Sequence, residues 1–270
     1  MEFINQLVHS RKSVRSYDGQ PLREGDLKKL SAFIEKIDNP YGIPVEFRLL
    51  DAKEHGLSSP VITGESLYVG AKLRRCPHME EAFGFSFEQL VLYAQSLGIG
   101  TVWIGGTMNR ALFEKAMSLE NGELMPCVSP LGYPAKKPSF RDALMRKGIR
   151  ADSRNPFESM FFDGSMDAPL MESSAGRLLE PLEAVRWAPS AVNKQPWRVI
   201  ISRNAAHFFL KHGKGFSGGE SGNMQKIDLG IALCHFYLSA TEHGMNLRFS
   251  LDKPEIAVPA DLEYIASYCF

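Results

Sequence analysis

The chain has 270 residues, 44% of them hydrophobic and 23% charged, close to twice the usual domain quantum of roughly 150 residues. A chain of this size can bury about 70–75% of its unfolded surface, which excludes disordered, fibrous and small disulfide-stapled classes. Lys plus Arg and Asp plus Glu both total 31, so no basic surplus draws in a polyanion and nucleic acid is not expected as a partner.

Taken in chain order, Phe3 to Val8 has helical apolar spacing and runs into the cationic patch RKSVRSYDG. Leu27 to Ile37 is again helical, with Asp26 placed as its cap and Asn39-Pro40-Tyr41-Gly42 stopping it. Val45 to Asp51 alternates like a strand. Phe85 to Leu97 recurs at three and four and ends on Gly98 and Gly100, a helix with a glycine terminator. Thr101 to Ile104 is a short β-prone run stopped by Gly105-Gly106, and Cys127 to Leu131 reads as a strand before the turn at Gly132-Tyr133-Pro134. A basic stretch follows, with Lys136, Lys137, Arg141, Arg146, Lys147, Arg150 and Arg154, which as a run is a solvated face. Phe161 to Glu172, rich in Asp, Gly, Ser and Pro, reads as a connector.

After this connector the plan repeats. Leu27 and Pro44 stand at the same interval as Leu179 and Pro196, and each pair frames a helix, a turn and a strand. FEQLVLYAQSLGIGTVW then parallels LCHFYLSATEHGMNLRF, with Gly98 facing Gly244 and Trp103 facing Phe249. The expectation is two fused halves, 1–160 and 170–270, forming an internal pseudo-dimer with a site at the seam.

The four cysteines, Cys76, Cys127, Cys234 and Cys269, lie far apart without Cys-x-x-Cys or Cys/His clustering, so neither a disulfide framework nor a metal site is expected. The start, Met1-Glu2-Phe3-Ile4-Asn5, lacks the basic and apolar regions of a secretory signal, and no window approaches the 18 or so apolar residues that span a bilayer. A cytoplasmic protein without a membrane partner is the expectation. His235 lies on an apolar helix and reads as a core histidine, and Lys211 to Lys226 reads as a surface loop, with a lid as the alternative.

Three segments carry chemistry. If Arg11-Lys12-Ser13-Val14-Arg15 is extended, Arg11, Ser13 and Arg15 share one side and present two guanidinium forks and a hydroxyl, which suits a phosphate. In Ala188 to Arg198, two prolines hold the backbone extended while Ser190, Asn193 and Gln195 offer groups that give and accept hydrogen bonds; a plain loop with Trp197 filling the core is the alternative. In Gly98 to Gly106, glycines let a backbone approach a planar ligand closely. The spacing is not that of a dinucleotide fingerprint.

Together, RKSVR, APSAVNKQPWR and GIGTVWIGG resemble the nitroreductase family of flavoproteins, over essentially the whole chain. The resemblance implies an α+β nitroreductase-like fold: a central mixed or antiparallel sheet flanked by helices, built from two fused half-repeats. It implies FMN as cofactor and NAD(P)H as electron donor, with hydride passing through flavin N5 to a small-molecule acceptor such as a nitroaromatic or a quinone. By position, Arg11 and Ser13 would hold the phosphate, with Lys12 also among the cofactor-binding residues, and Arg15 would lie near the end of the flavin where negative charge accumulates on reduction. Trp103 and Ile104 would lie against the ring, and the backbone N–H groups of Gly105 and Gly106 would face N5. Pro189, Ser190, Ala191 and Asn193 would reach the flavin from the other half, with Gln195 and Trp197 in support. Ser153-Arg154-Asn155-Pro156 matches a family tail in which a basic residue approaches the phosphate, making Arg154 a fourth cation.

The order departs from the family pattern, because APSAVNKQPW stands in the second half instead of soon after RKSVR. The chain therefore resembles a fused-repeat branch, with one complete site, the opposite one lost, and a monomer or weak homodimer as its assembly. Other reactions of the same fold (reductive dehalogenation, enoate reduction, flavin destruction) and a non-catalytic flavin carrier or sensor remain open alternatives.

Overall fold

The computed structural model describes residues 4–137, 148, 151–213, 219 and 221–270. Helix α1 (Ile4–Ser10) and helix α2 (Glu24–Ile34) precede strand β1 (Glu46–Asp51), a single turn α3 (Ala52–His55), strand β2 (Leu67–Arg74) and the long helix α4 (Met79–Ser96). Helix α5 (Arg110–Ala116) and strands β3 (Glu123–Leu124) and β4 (Val128–Leu131) complete the first half. The second half holds β5 (Phe161–Asp163), α6 (Leu179–Trp187), β6 (Trp197–Ser202), β7 (Ala205–Lys211), the long helix α7 (Met224–Glu242), β8 (Arg248–Ser250) and β9 (Leu262–Cys269). Among these residues no helix is long and apolar enough to cross a membrane.

The class is α+β, but the strands form two sheets and not one central sheet. Strands β1, β3 and β4 all pair antiparallel with β2, whereas β5-β6-β7-β9-β8 make a five-stranded sheet with one parallel pair, β5 with β6. The physical reason lies in α4 and α7. Helix α4 packs on β2, α7 packs on β6 and β7, and the two helices contact each other more extensively than any other pair of elements, so they fill the space in which a shared sheet would have to close. Val69, Phe83, Val185, Phe208 and Phe236, drawn from both sheets and from α4, α6 and α7, belong to one continuous core.

The crossing of α4 and α7 depends on glycine. A Cβ on Gly84 would stand 2.1 Å from Ile227 O, and a Cβ on Gly230 would stand 2.1 Å from Glu81 O. The contact is reciprocal, like the self-complementary interface of a two-fold dimer. The interval from Gly98 to Gly244 also separates Gly84 from Gly230 and Glu81 from Ile227.

Local readings shift in two places. The first turn of α2 begins before Asp26, and Arg23 is its N-cap; Asp26 does not cap because its carboxylate is taken by the Tyr133 hydroxyl, which donates to it at 2.6 Å, and by Arg23 Nε at 3.1 Å. The connector from Phe161 contains β5, whose Phe161 and Phe162 are buried against β6; strand formation wins there because parallel pairing satisfies the backbone that burial would otherwise leave unpaired. Strand-like Thr101 to Ile104 forms single bridges, Ser13 with Thr101 and Ile104 with Val128. Of the basic run, Arg141, Arg146, Lys147 and Arg150 fall outside the described residues, as does part of the Lys211 to Lys226 loop.

Candidate functional site

The segment after α1 runs beside the strand-like Gly100 and Thr101. Val14 N–H donates to Thr101 O at 2.9 Å, and a Cβ on Gly100 would lie 2.8 Å from Val14 Cβ. Glycine is required at position 100 for this close approach, so here it serves packing of the chain on itself. Gly98 ends the preceding helix with φ 72°.

This pairing brings Ser13 and Arg15 to the wall of a cavity of about 350 Å³. Val102, Trp103 and Ile104 line it from the first half, and Pro189, Ser190, Ala191 and Val192 from the second. One face of α7 closes it with Met224, Ile227, Asp228 and Ile231. Most of this wall is apolar. On the other side of Ser13 lies a smaller pocket of about 230 Å³, lined by Arg11, Lys12, Arg154, Asp152, His9 and Trp187 among others. Ser13 belongs to both. Three cations and one acid thus surround a polar pocket opening beside an apolar slot.

Arg154 is set there by its surroundings: its guanidinium donates to Ala151 O and Ser153 O at 2.9 and 2.8 Å, and its carbon lies 4.7 Å from the centre of the Trp187 ring. Buried Trp187 Nε1 finds no acceptor among the described residues. A buried N–H donor without a partner costs roughly 1–3 kcal/mol, and an anion in this pocket would offer it one.

The loop from Ala188 to Pro196 is under backbone strain. Val192, Asn193 and Gln195 hold φ of 44°, 57° and 50°, a region that costs an L-residue roughly 1–2 kcal/mol. Side chains lock it: Ser190 Oγ accepts from Gln195 N–H at 2.9 Å, Gln195 Oε1 accepts from Asn155 N–H at 2.9 Å, and Asn193 Nδ2 donates to Ser153 O at 3.0 Å. Asn193 and Gln195 therefore face a separate depression beside Ser153 and Asn155, which meets the apolar cavity only at Val192. Ser13 and Ser190 share the cavity; Asn193 and Gln195 brace the loop behind it, and fully buried Trp197 belongs to the core.

Gly105 and Gly106 lie between the lining residues Ile104 and Thr107 and do not themselves line the cavity. Gly105 O is held by Arg110 Nη2 at 2.8 Å and by Ser221 Oγ at 3.2 Å. Lining residue Trp103 is fixed from behind: its Nε1 donates to Glu88 Oε2 at 3.0 Å, and Glu88 Oε1 lies 2.9 Å from His235 Nε2. His235 Nδ1 lies 2.9 Å from Ala184 O; since a carbonyl only accepts, Nδ1 carries a proton. Glu88 and His235 are both fully buried, so the histidine expected in the core also supports the cavity wall.

Asp228 was not singled out from sequence. Its carboxyl is 3% exposed, lines the cavity, and among the described residues accepts only the Ala191 N–H, at 3.0 and 3.2 Å from its two oxygens. Burial pushes its pKa well above the usual carboxylate range, against the lowering effect of that hydrogen bond. The available signal was an acid inside the otherwise apolar run IDLGIALCHF. Among the described residues no cluster of His, Cys, Asp and Glu could hold a metal ion.

Comparison with solved structures agrees with the architecture. The chain superposes on the crystal structure of a "putative nitroreductase" from Thermotoga maritima with a TM-score of 0.62 at 21% identity, over 99% of this chain and 92% of that one, a likeness that establishes the fold. A nitroreductase family protein from Clostridium difficile 630 aligns with 54% of this chain and 92% of its own, at 16% identity and TM-score 0.43. An FMN-dependent nitroreductase from Clostridium difficile R20291 aligns with 52% and 94%, at 17% identity and TM-score 0.42. No curated protein matches the chain. The family model described as "Putative TM nitroreductase" matches residues 3–240, and the chain belongs to that nitroreductase family.

Proposed function

We propose that the chain is an FMN-dependent NAD(P)H oxidoreductase that delivers hydride, in two half-reactions at one site, to small, flat, electron-poor acceptors such as nitroaromatics or quinones. The observation that carries this reading is the meeting of two unlike cavities at Ser13: an apolar slot built from both halves, and a pocket bearing Arg11, Lys12 and Arg154. A planar ring system joined to a phosphate has that division of chemistry, and the unpartnered Trp187 N–H fits an anion on the polar side.

Bound FMN would supply a two-electron carrier that takes hydride from a reduced nicotinamide and gives it up again. The remaining tasks belong to the chain. Arg11, Lys12 and Arg154 balance the phosphate charge, with the Ser13 hydroxyl between the two compartments. Arg15 places a cation at the cavity wall, where it favours charge arriving with the electrons. Val102, Ile104, Ile227 and Ile231 exclude water, and Trp103 keeps a fixed ring orientation through Glu88. Positioning and electrostatics are then the protein's contribution.

The two halves act as an internal pseudo-dimer with one site per chain, which leaves the chain a monomer or a weak homodimer. The deciding experiment is the visible spectrum of the purified protein. A yellow protein, with about one FMN per chain, that bleaches with NAD(P)H and regains colour with a nitroaromatic supports the reading. Protein that stays colourless after incubation with FMN overturns it, and a yellow protein inert to NAD(P)H leaves only flavin binding.

A further inference from the structure

The peptide between Gly105 and Gly106 has glycine on both sides, so side chains do little to restrict its rotation. A Cβ on Gly106 would meet nothing within 4 Å, and one on Gly105 would meet only the end of Met224 and Pro126 O, at 3.2 Å or more. Its orientation is nevertheless fixed, because two donors converge on its carbonyl. Arg110 Nη2 lies 2.8 Å and Ser221 Oγ 3.2 Å from Gly105 O. The same Nη2 donates to Ser221 Oγ at 2.7 Å, so the three groups form a closed triangle. Arg110 is itself anchored: its guanidinium reaches Met125 O at 2.7 Å and Pro126 O at 3.3 Å, with Glu114 at 3.7 Å, and its side chain is only 14% exposed.

Peptide planarity converts this grip into a direction. In a trans peptide the N–H points opposite to the C=O, and no cis bond occurs among the described residues. The Gly106 N–H therefore points away from the Arg110 side, and Arg110 does not line the cavity, whereas Ile104 and Thr107 on either side of the two glycines do. The Gly106 N–H also has no acceptor among the described residues.

We infer that Arg110, assisted by Ser221, is a positioning residue that locks the Gly105–Gly106 peptide so that the Gly106 N–H, and not the Gly105 carbonyl, faces the rim of the cavity between the lining residues Ile104 and Thr107, where a ligand can meet it. The inference rests on the reading that this ligand is FMN. A peptide with its N–H toward the ring stabilises electron density gained on reduction. A flipped peptide would put a carbonyl lone pair there and oppose it. Ser221 belongs to the second half and Gly105 to the first, so the lock also depends on the two halves being docked.

The test is the midpoint potential of bound FMN, read by spectroelectrochemistry, in wild type, Arg110→Lys, Arg110→Ala and Ser221→Ala. FMN dissociation constants and thermal melting are measured alongside. Arg110→Ala is expected to weaken binding of reduced FMN at least tenfold relative to oxidised FMN, a fall of about 30 mV for a two-electron couple. Arg110→Lys restores a single donor and lies between it and wild type; Ser221→Ala gives a smaller fall with unchanged melting. If Arg110→Ala does not fold, the ordering of wild type, Ser221→Ala and Arg110→Lys carries the test. Equal potentials in loaded, folded variants overturn the inference and leave the functional reading intact. A wild type that binds no FMN overturns both, and the result is visible before any variant is made.

Discussion

The two sides of the α4 and α7 crossing are filled differently. On one side Trp103, Ile104, Ser190 and Asp228 surround an open cavity. On the other, Phe249, which the sequence parallel sets against Trp103, packs on Tyr41 at 4.9 Å and on Tyr268 at 5.5 Å between ring centres, while Tyr41 stacks on His78 at 5.5 Å. Aromatic rings occupy that side, and Glu81 is buried beside Tyr41 there. The loops differ likewise. The first-half turn Asn39 to Gly42 meets its need for positive φ with Gly42 at 65°, whereas the second-half loop places Val192, Asn193 and Gln195 in that region. The side with the cavity carries the strain, and the other side holds packed rings and a glycine turn.

Four measurements break or sharpen this contrast. The largest effect is expected at the shared crossing: Gly230→Ala would drive a Cβ into Glu81 O, and a loss of about 4 kcal/mol or more, or failure to fold, should appear in denaturant unfolding. A variant as stable as wild type would mean the helices do not cross as closely as described.

The filled side should show its buried acid in the pH dependence of stability. Burial raises the Glu81 pKa to about 7, against the lowering effect of Lys226. The folded chain binds this proton more tightly than the unfolded one, so stability is fully present below the unfolded value near 4.5 and is lost as pH rises through the folded one. The loss attributable to this carboxyl is about 3 kcal/mol between those limits, and Glu81→Gln should abolish it. Parallel pH profiles for wild type and variant would remove Glu81 from the account.

The open side is tested by its anion grip. Arg11→Ala should reduce FMN affinity by about 1.5–3 kcal/mol, the scale of a lost charged hydrogen bond, read by fluorescence titration of the apo-protein. Unchanged retention would remove Arg11 from the site. The smallest effect concerns strain: Val192→Gly should stabilise the apo-protein by up to about 1 kcal/mol, measured as a rise in melting temperature, and a fall would show that the loop gains more from the valine side chain than its backbone costs.

Much of the architecture was legible because it is written locally. Helix α4, its glycine stop, β1, β4, β6 and the helix, glycine, strand order of the second half follow from periodicity and punctuation within a dozen residues. The segments that line the two cavities, RKSVR, Trp103-Ile104 and Pro189-Ser190-Ala191, were also readable as motifs. Other elements were not. Strand β2 is buried on nearly every residue and β5 is three residues long, so neither shows the alternation that marks a half-exposed strand. Asp26 looks like a cap in one dimension and proves to be a partner of Tyr133, more than a hundred residues away.

The sequence by itself determined the local elements, the family and the cationic and amide-rich segments, since each is a property of neighbouring residues. Only the tertiary structure decided that Ser190 and not Asn193 shares the cavity with Ser13, that Asp228 lines it, that Glu88 and His235 back Trp103, and that Arg110 holds the Gly105 carbonyl. These are long-range contacts. They depend on two helices crossing at Gly84 and Gly230, where the lack of side chains lets the backbones touch, and chain order alone carries no measure of that distance.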